Sequence, residues 1–216
     1  MDDYFKEAKK SLEEKIPDFD SAEFKKMGDK IRKQLQKKEN DLLITIRRLK
    51  ILVLGDWHTI EKKQRLENIK NILLTNGLYA ETIDKYYDMN MKGGLSPSQI
   101  LETCCINHQL IVFLDGDGKG TVTEQNYLSA NYVFQGKILF FIEEPKFNKL
   151  KDDPSQYLNN FPSIITYRES ELLDRILAFS RLRIYRLAGI IKTQSASRKG
   201  LKNPNYSPWK SRLKRQ

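Results

Sequence analysis

The stretch HQLIVFLDGDGKGTVTEQNYLSANYVFQGKILFFIEEP, residues 108–145, decides the fold. It holds two apolar runs, LIVFL (110–114) and ILFFI (138–142), each followed by acidic residues. Neither run alternates apolar with polar side chains. Both therefore read as strands buried on two faces, the pattern of a parallel sheet covered by helices on each side. Parallel neighbours need a crossover of a dozen or more residues. Thr121 to Gln135 supplies one as a predicted helix, with Val122, Leu128 and Val133 among its apolar positions.

The same alternation extends in both directions. LKILVLGD (49–56) is another apolar run, and TIEKKQRLENIKNILLTNG (59–77) is an amphipathic helix stopped by Gly77. LYAETID (78–84) is a strand candidate. SPSQILETCCIN (96–107) is a helix with Ser96 as its cap and Pro97 at the first helical position. SIITY (163–167) is a short strand, and Glu169 to Lys192 a long helix. Strand and helix in alternation, with right-handed crossovers, predict an α/β, flavodoxin-like, doubly wound parallel sheet of about five strands. Ligands of such sheets sit beyond the carboxyl ends of the strands, at the point where the strand order reverses.

This domain is predicted over residues 48–191. Residues 1–47 form a helical N-terminal arm, in which Pro17 separates a first helix from a second capped by Asp20 or Ser21. Phe24, Met27, Ile31 and Leu35 share one face of that second helix. The face is expected to pack on its own domain, the alternative being a partner or a second copy. Residues 192–216 form a basic, flexible tail.

Charge marks the tail off. The chain has 216 residues and a net charge of +10, with 38 Lys and Arg against 28 Asp and Glu. Eight of the basic residues and none of the acidic ones lie in 192–216, so residues 1–191 carry only +2. The body thus gives no electrostatic reason to expect a nucleic-acid footprint. The tail, with Tyr206 and Trp209 among its basic residues, suits phosphates, nucleic acid or an acidic partner, or simply keeps the protein in solution. At 39% hydrophobic the chain is neither collagen-like nor disordered. No apolar stretch nears the ~20 residues that span a bilayer, and the N-terminus lacks the apolar core of a secretory signal. A cytoplasmic protein without membrane contact is expected. Its adjacent cysteines, Cys104 and Cys105, read as reduced thiols, since neighbours make a strained disulfide and two thiols make no zinc site. No cofactor and no metal is expected.

The strand ends carry the chemistry. Gly55, Asp56, Trp57 and His58 follow the first strand, and DGDGKGT (115–121) follows the third. A calcium loop starting at Asp115 would need an acid or amide at Lys119 and a glutamate at Asn126, and has neither. Gly116, Gly118 and Gly120 precede a helix N-terminus, which attracts anions. The glycine-lysine phosphate-loop pattern is nevertheless missing, and Asp115 and Asp117 would repel a phosphate. A third reading is a glycosyl site. Cleavage of an N-glycosidic bond passes through an oxocarbenium-like state and needs a carboxylate on one side of the sugar. Asp115, Asp117 and Glu124 put three acids within ten residues. Glu124, near the positive end of its helix, would stay ionised as a nucleophile should. By local pattern alone, an acidic loop with a solvated glutamate fits equally well.

Asp115, Asp117, Gly120, Thr121, Glu124, Tyr127, Ala130, Gly136 and Lys137, followed by ILFFI, resemble the motif of the nucleoside 2-deoxyribosyltransferase family. That motif is an apolar strand ending in aspartate, an acidic glycine loop, Asp-x-Gly-Thr-x-x-Glu, a tyrosine three residues on, a small residue, and Gly-Lys before the next strand. This chain departs from it in having both Gly118 and Lys119 between Asp117 and Gly120, Gln125-Asn126 in place of Ile-Gly, and a shorter loop. The likeness spans about 49–145 and is motif-grade over 110–142. It implies Glu124 as the nucleophile that takes the sugar. It implies Asp115 and Asp117 holding or protonating the base, and Tyr127 orienting the carboxylate. Gly55, Asp56, Trp57, Gly118, Gly120 and Thr121 would line the pocket. The ligand would be a nucleoside, nucleotide or NAD, and the assembly a homo-oligomer. The layout also resembles TIR-like domains, which share the sheet and a helix-borne glutamate that acts on the nicotinamide–ribose bond of NAD; many are signalling modules. A catalytically inactive nucleotide-binding or nucleic-acid-associated scaffold is the reading from another class.

Other residues have plainer readings. His58, at a strand end, suits proton transfer, whereas His108 reads as structural. Tyr79, Tyr86 and Tyr87 either stack on a base or pack beneath the loop. Glu143 and Glu144 read as a solvated strand end.

Overall fold

The computed structural model describes residues 6–7, 10–11, 21–90, 93–152 and 157–200. Of the arm's first helix only residues 6–7 and 10–11 are among these, and they are helical; the tail from residue 201 lies outside them. The chain forms two compact units, Met1–Ile44 and Thr45–Gln216. Helix α1 (Ala22–Arg48) begins at Ser21, whose hydroxyl accepts a hydrogen bond from the Phe24 N–H at 3.1 Å. Its Phe24, Met27, Ile31 and Leu35 are exposed, whereas Ile46, in the second unit, is buried.

The second unit is built on a five-stranded, all-parallel sheet with strand order β2-β1-β3-β4-β5. The strands are β1 (Lys50–Leu54), β2 (Tyr79–Thr82), β3 (Leu110–Leu114), β4 (Ile138–Glu143) and β5 (Ile164–Tyr167). This is the flavodoxin-like order. The apolar runs become the three inner strands: every residue of β3 is buried, and so are Ile51–Leu54 and Ile138–Ile142. Register pairs Val53 with Val112 and Phe113 with Phe140. The Phe113 and Phe140 rings stack at 5.5 Å, and Phe161 stacks on Phe140 at 4.4 Å. Such burial at ~25 cal/mol per Å² is what holds an unalternating strand inside.

Between the strands run α2 (Ile60–Thr75), α3 (Asp84–Asn90), α4 (Pro97–Asn107), α5 (Lys119–Ala130), the single turn α6 (Tyr132–Gln135) and α7 (Glu144–Leu150). After β5 comes α8 (Leu172–Gly200). Local chemistry sets their ends. Thr59 caps α2, and Gly77, at φ +77°, provides the left-handed stop after it. Ser96 and Gln99 close a reciprocal capping box on α4, with Pro97 at the first position.

Three expectations need correction. The helix expected over 121–135 is two, because Asn131 leaves helical geometry and caps α6. Its buried face is Thr121, Glu124, Gln125, Leu128 and Ser129, while Val122 and Val133 are exposed. The last helix also continues beyond Lys192 to Gly200, so the first residues assigned to a flexible tail are helical. Among the described residues no helix is long and apolar enough to cross a membrane.

Candidate functional site

Strand order reverses between β1 and β3, the adjacent strands whose connections leave in opposite directions. Their carboxyl ends deliver Asp56 and the 115–118 loop to one spot, and Asp56 joins the two. Its carboxylate, 6% exposed, accepts from the His58 N–H at 2.9 Å, the Gly118 N–H at 3.1 Å and Lys62 Nζ at 2.5 Å. Burial pushes its pKa up, but these bonds and the Lys62 charge outweigh burial and hold it below the ordinary aspartate value. The glycines of the loop make this approach possible. A Cβ on Gly116 would lie 2.7 Å from Asp56 Cβ, and one on Gly118 2.6 Å from Asp56 Oδ1. Asp56 is thus a clip between two strand ends. Gly55 does similar work beneath it, where a Cβ would lie 2.9 Å from Leu66 Cδ2 and 3.1 Å from Leu114 Cβ.

Beside the clip opens a cavity of about 1010 Å³, at the upper end of the size range of small-molecule sites. Trp57, His58, Lys62 and Lys63 line it from the β1–α2 side, Ile83, Asp84 and Tyr87 from the end of β2 and α3, and Pro97 from α4. Asp117, Gly118, Lys119, Gly120, Thr121 and Glu124 line it from the loop and α5. Glu124, on the second turn of α5, is 8% exposed. The Tyr87 hydroxyl donates to its Oε1 at 3.3 Å, while Oε2 has no hydrogen-bond partner among the described residues. Burial pushes its carboxyl up to about 7, and the Tyr87 bond pulls the other way. The helix end does not keep this group ionised as expected, because desolvation outweighs it. Trp57 Nε1 is likewise buried without a partner.

Of the residues expected at the site, Asp56, Trp57, Asp117, Gly118, Gly120, Thr121 and Glu124 meet at the cavity. Asp115, Tyr127 and Gly55 do not line it. Asp115 turns away into a cleft of about 120 Å³ shared with Asp56, Lys62, Arg65, Glu143, Lys146 and Tyr167. There Lys146 binds the buried Asp115 at 2.6 Å and the exposed Asp117 at 2.7 Å, which directs Asp115 away from the Glu124 cavity while Asp117 remains on its rim. Tyr127 packs beside Phe134 against the core. The tyrosine that reaches Glu124 is Tyr87, from an element the sequence did not reveal. The neighbouring tyrosines serve another cluster: Tyr79 donates to the buried Glu81 at 2.7 Å, Tyr86 and Lys85 also bind it, and His108 Nε2 lies 3.3 Å away. Burial would raise Glu81, but these donors hold it at about 2. Glu144 pairs with Arg168 at 2.8 Å. Among the described residues no group of three or more His, Cys, Asp or Glu could hold a metal ion.

Compared with protein-family models and with curated proteins, the chain finds no match.

Proposed function

We propose that this protein is an enzyme of N-glycosidic bonds, with Glu124 as the nucleophile toward a nucleoside, nucleotide or NAD-like ligand. One observation carries the reading: Glu124 lines a ligand-sized cavity, and its buried Oε2 has no hydrogen-bond partner among the described residues. Burying a carboxyl in this way costs stability unless something is gained by it. Glu124 is buried and has no ion pair among the described residues, which favours this reading over an inactive scaffold.

The chemistry follows from the two oxygens. Tyr87 fixes Oε1, which leaves Oε2 to approach the anomeric carbon. As the bond to that carbon forms, the C–N bond breaks and its electron pair leaves with the base; a purine or pyrimidine anion then takes a proton from water, whereas nicotinamide leaves NAD neutral and takes none. Water or a second acceptor attacks the glycosyl–enzyme ester and returns Glu124 as a carboxylate. Trp57, on the β1–α2 side of the cavity, has a buried Nε1 with no partner among the described residues, a further donor for the ligand in this reading.

The test is base release from deoxynucleosides, nucleotides and NAD in separate reactions, followed by chromatography. Glu124→Gln should lower release from the turned-over substrate by about a thousandfold or more, as loss of a nucleophile does. Equal release by variant and parent, or release from no substrate, overturns the reading.

A further inference from the structure

We infer that Glu81, a buried acid of β2 that does not line the cavity, is a positioning residue for Glu124 and acts on it through α3 and Tyr87. Its role in the reaction rests on the glycosidic reading above.

Helix α3 has seven residues. A helix shorter than ~12 residues is not held by its own hydrogen bonds, so side chains have to place it. Glu81, just before it, does so. Its carboxylate accepts from Lys85 and Tyr86, both in the first turn of α3, and from the Tyr79 hydroxyl at 2.7 Å. His108 Nε2 lies 3.3 Å from that carboxylate, and Nδ1 of the same ring lies 2.7 Å from the Cys104 carbonyl oxygen of α4. The Tyr86 ring meets the His108 ring edge-on at 6.0 Å. Glu81 therefore ties the start of α3 to β2 and to the end of α4.

Tyr87 is the next residue of the helix. Successive helical side chains leave the axis ~100° apart, so a Tyr86 fixed on Glu81 sets the direction in which Tyr87 points. The Tyr87 hydroxyl donates to Glu124 Oε1 at 3.3 Å. That is already longer than the ~2.8 Å usual between two oxygens, and withdrawing α3 by about half an ångström breaks the bond. It is the one hydrogen bond that opposes burial at Glu124. The bonds on Glu81 thus decide, two residues removed, how Glu124 is held.

The sign of the effect separates this role from a purely electrostatic one. Glu81 is ionised, its carboxyl held at about 2. Through space, removing its charge would favour a second carboxylate and lower the Glu124 pKa. Through α3, removing it frees Tyr86 and Tyr87, Glu124 loses the bond that favours its carboxylate, and its pKa rises. The charged groups on the cavity wall, Asp56, Lys62, Lys63, Asp84, Asp117 and Lys119, are the same in both cases, as is the Cys105 thiol that feels Glu124.

The test titrates the full chain, isotope-labelled at its glutamate carboxyls, by NMR; the Glu124 resonance is the one missing from Glu124→Gln. Tyr86→Phe and Glu81→Gln should each raise the Glu124 midpoint by roughly half a pH unit to one unit, the worth of a net hydrogen bond, as Tyr87→Phe does. In a Tyr87→Phe background neither should raise it further. In base release the acid limb of kcat/KM should move with the midpoint, and kcat should fall while KM holds, since Glu81 does not reach the ligand. Tyr86→Phe deletes a single hydroxyl and carries the test if Glu81→Gln does not fold. A midpoint that falls or stays in place in Tyr86→Phe overturns the inference, as does a further rise in the Tyr87→Phe background; base release alongside either leaves the glycosidic reading standing. A raised midpoint that vanishes in the Tyr87→Phe background, with no base released from any substrate, supports the positioning of Glu124 and removes the glycosidic reading.

Discussion

As the proposed nucleophile, Glu124 has to be ionised to attack carbon, yet burial raises its pKa to about 7. The kcat/KM for base release should therefore fall about tenfold per pH unit below that value and level off above it. Tyr87→Phe removes the one hydrogen bond that opposes burial, so the acid limb should move to higher pH as the plateau drops. A pH–rate profile of parent and variant checks both. Stability has the opposite sign. The folded pKa lies above that of the unfolded chain, so the protonated native state is favoured and its advantage is lost as pH rises through 7. Glu124→Gln does not ionise. Its melting temperature should pull ahead of the parent's between pH 4.5 and 7, by the equivalent of roughly 3 kcal/mol at the top of the range. A constant gap across pH would place Glu124 in water. The sequence revealed the residue, since an acid after a glycine loop is visible there, but not its state. Ionisation depends on how deeply the fold buries the carboxyl and on the Tyr87 hydroxyl, which comes from a distant segment.

At the scale of elements, the 115–118 loop and the β1 end act as one piece because Asp56 occupies the space where side chains on Gly116 and Gly118 would be. Gly118→Ala should cost about 1–3 kcal/mol by overpacking, measured by denaturant unfolding, and the smaller residue in Asp56→Gly should make the alanine cheaper to accept. Additive costs would deny the clip. The inner strands and α2, α4 and α8 were readable because long apolar runs, a Thr or Ser cap and a terminal glycine all point one way. Helices α3 and α7 were not. Each has seven residues, too few for a period to show, and each starts directly after a strand. The phase of α5 misled for a physical reason. Its inner face is Thr121, Glu124, Gln125, Leu128 and Ser129, so an apolar count selects the wrong side. A helix that turns polar residues inward is facing a cavity or a network, and here it faces both.

For the molecule as a whole, the fold class followed from alternation alone, whereas the partition of chemistry around the sheet did not. The acids that follow β1 and β3 look like one group in the sequence. In space Asp115 is separated from Glu124, and Lys146, 29 residues after Asp117, decides the matter by binding it. Long-range pairs of this kind have no local signature. The two thiols illustrate another property of the assembled domain. Cys104 and Cys105 are free and buried, and burial pushes their pKa up to about 11 and about 12. Thiolate is the reactive form, so both thiols of the folded protein should react slowly with maleimides. A cysteine placed on the cavity rim, as in Lys63→Cys, would then be its sole fast-reacting thiol. One fluorophore could be attached there without removing Cys104 or Cys105, giving an optical report on occupancy of the cavity.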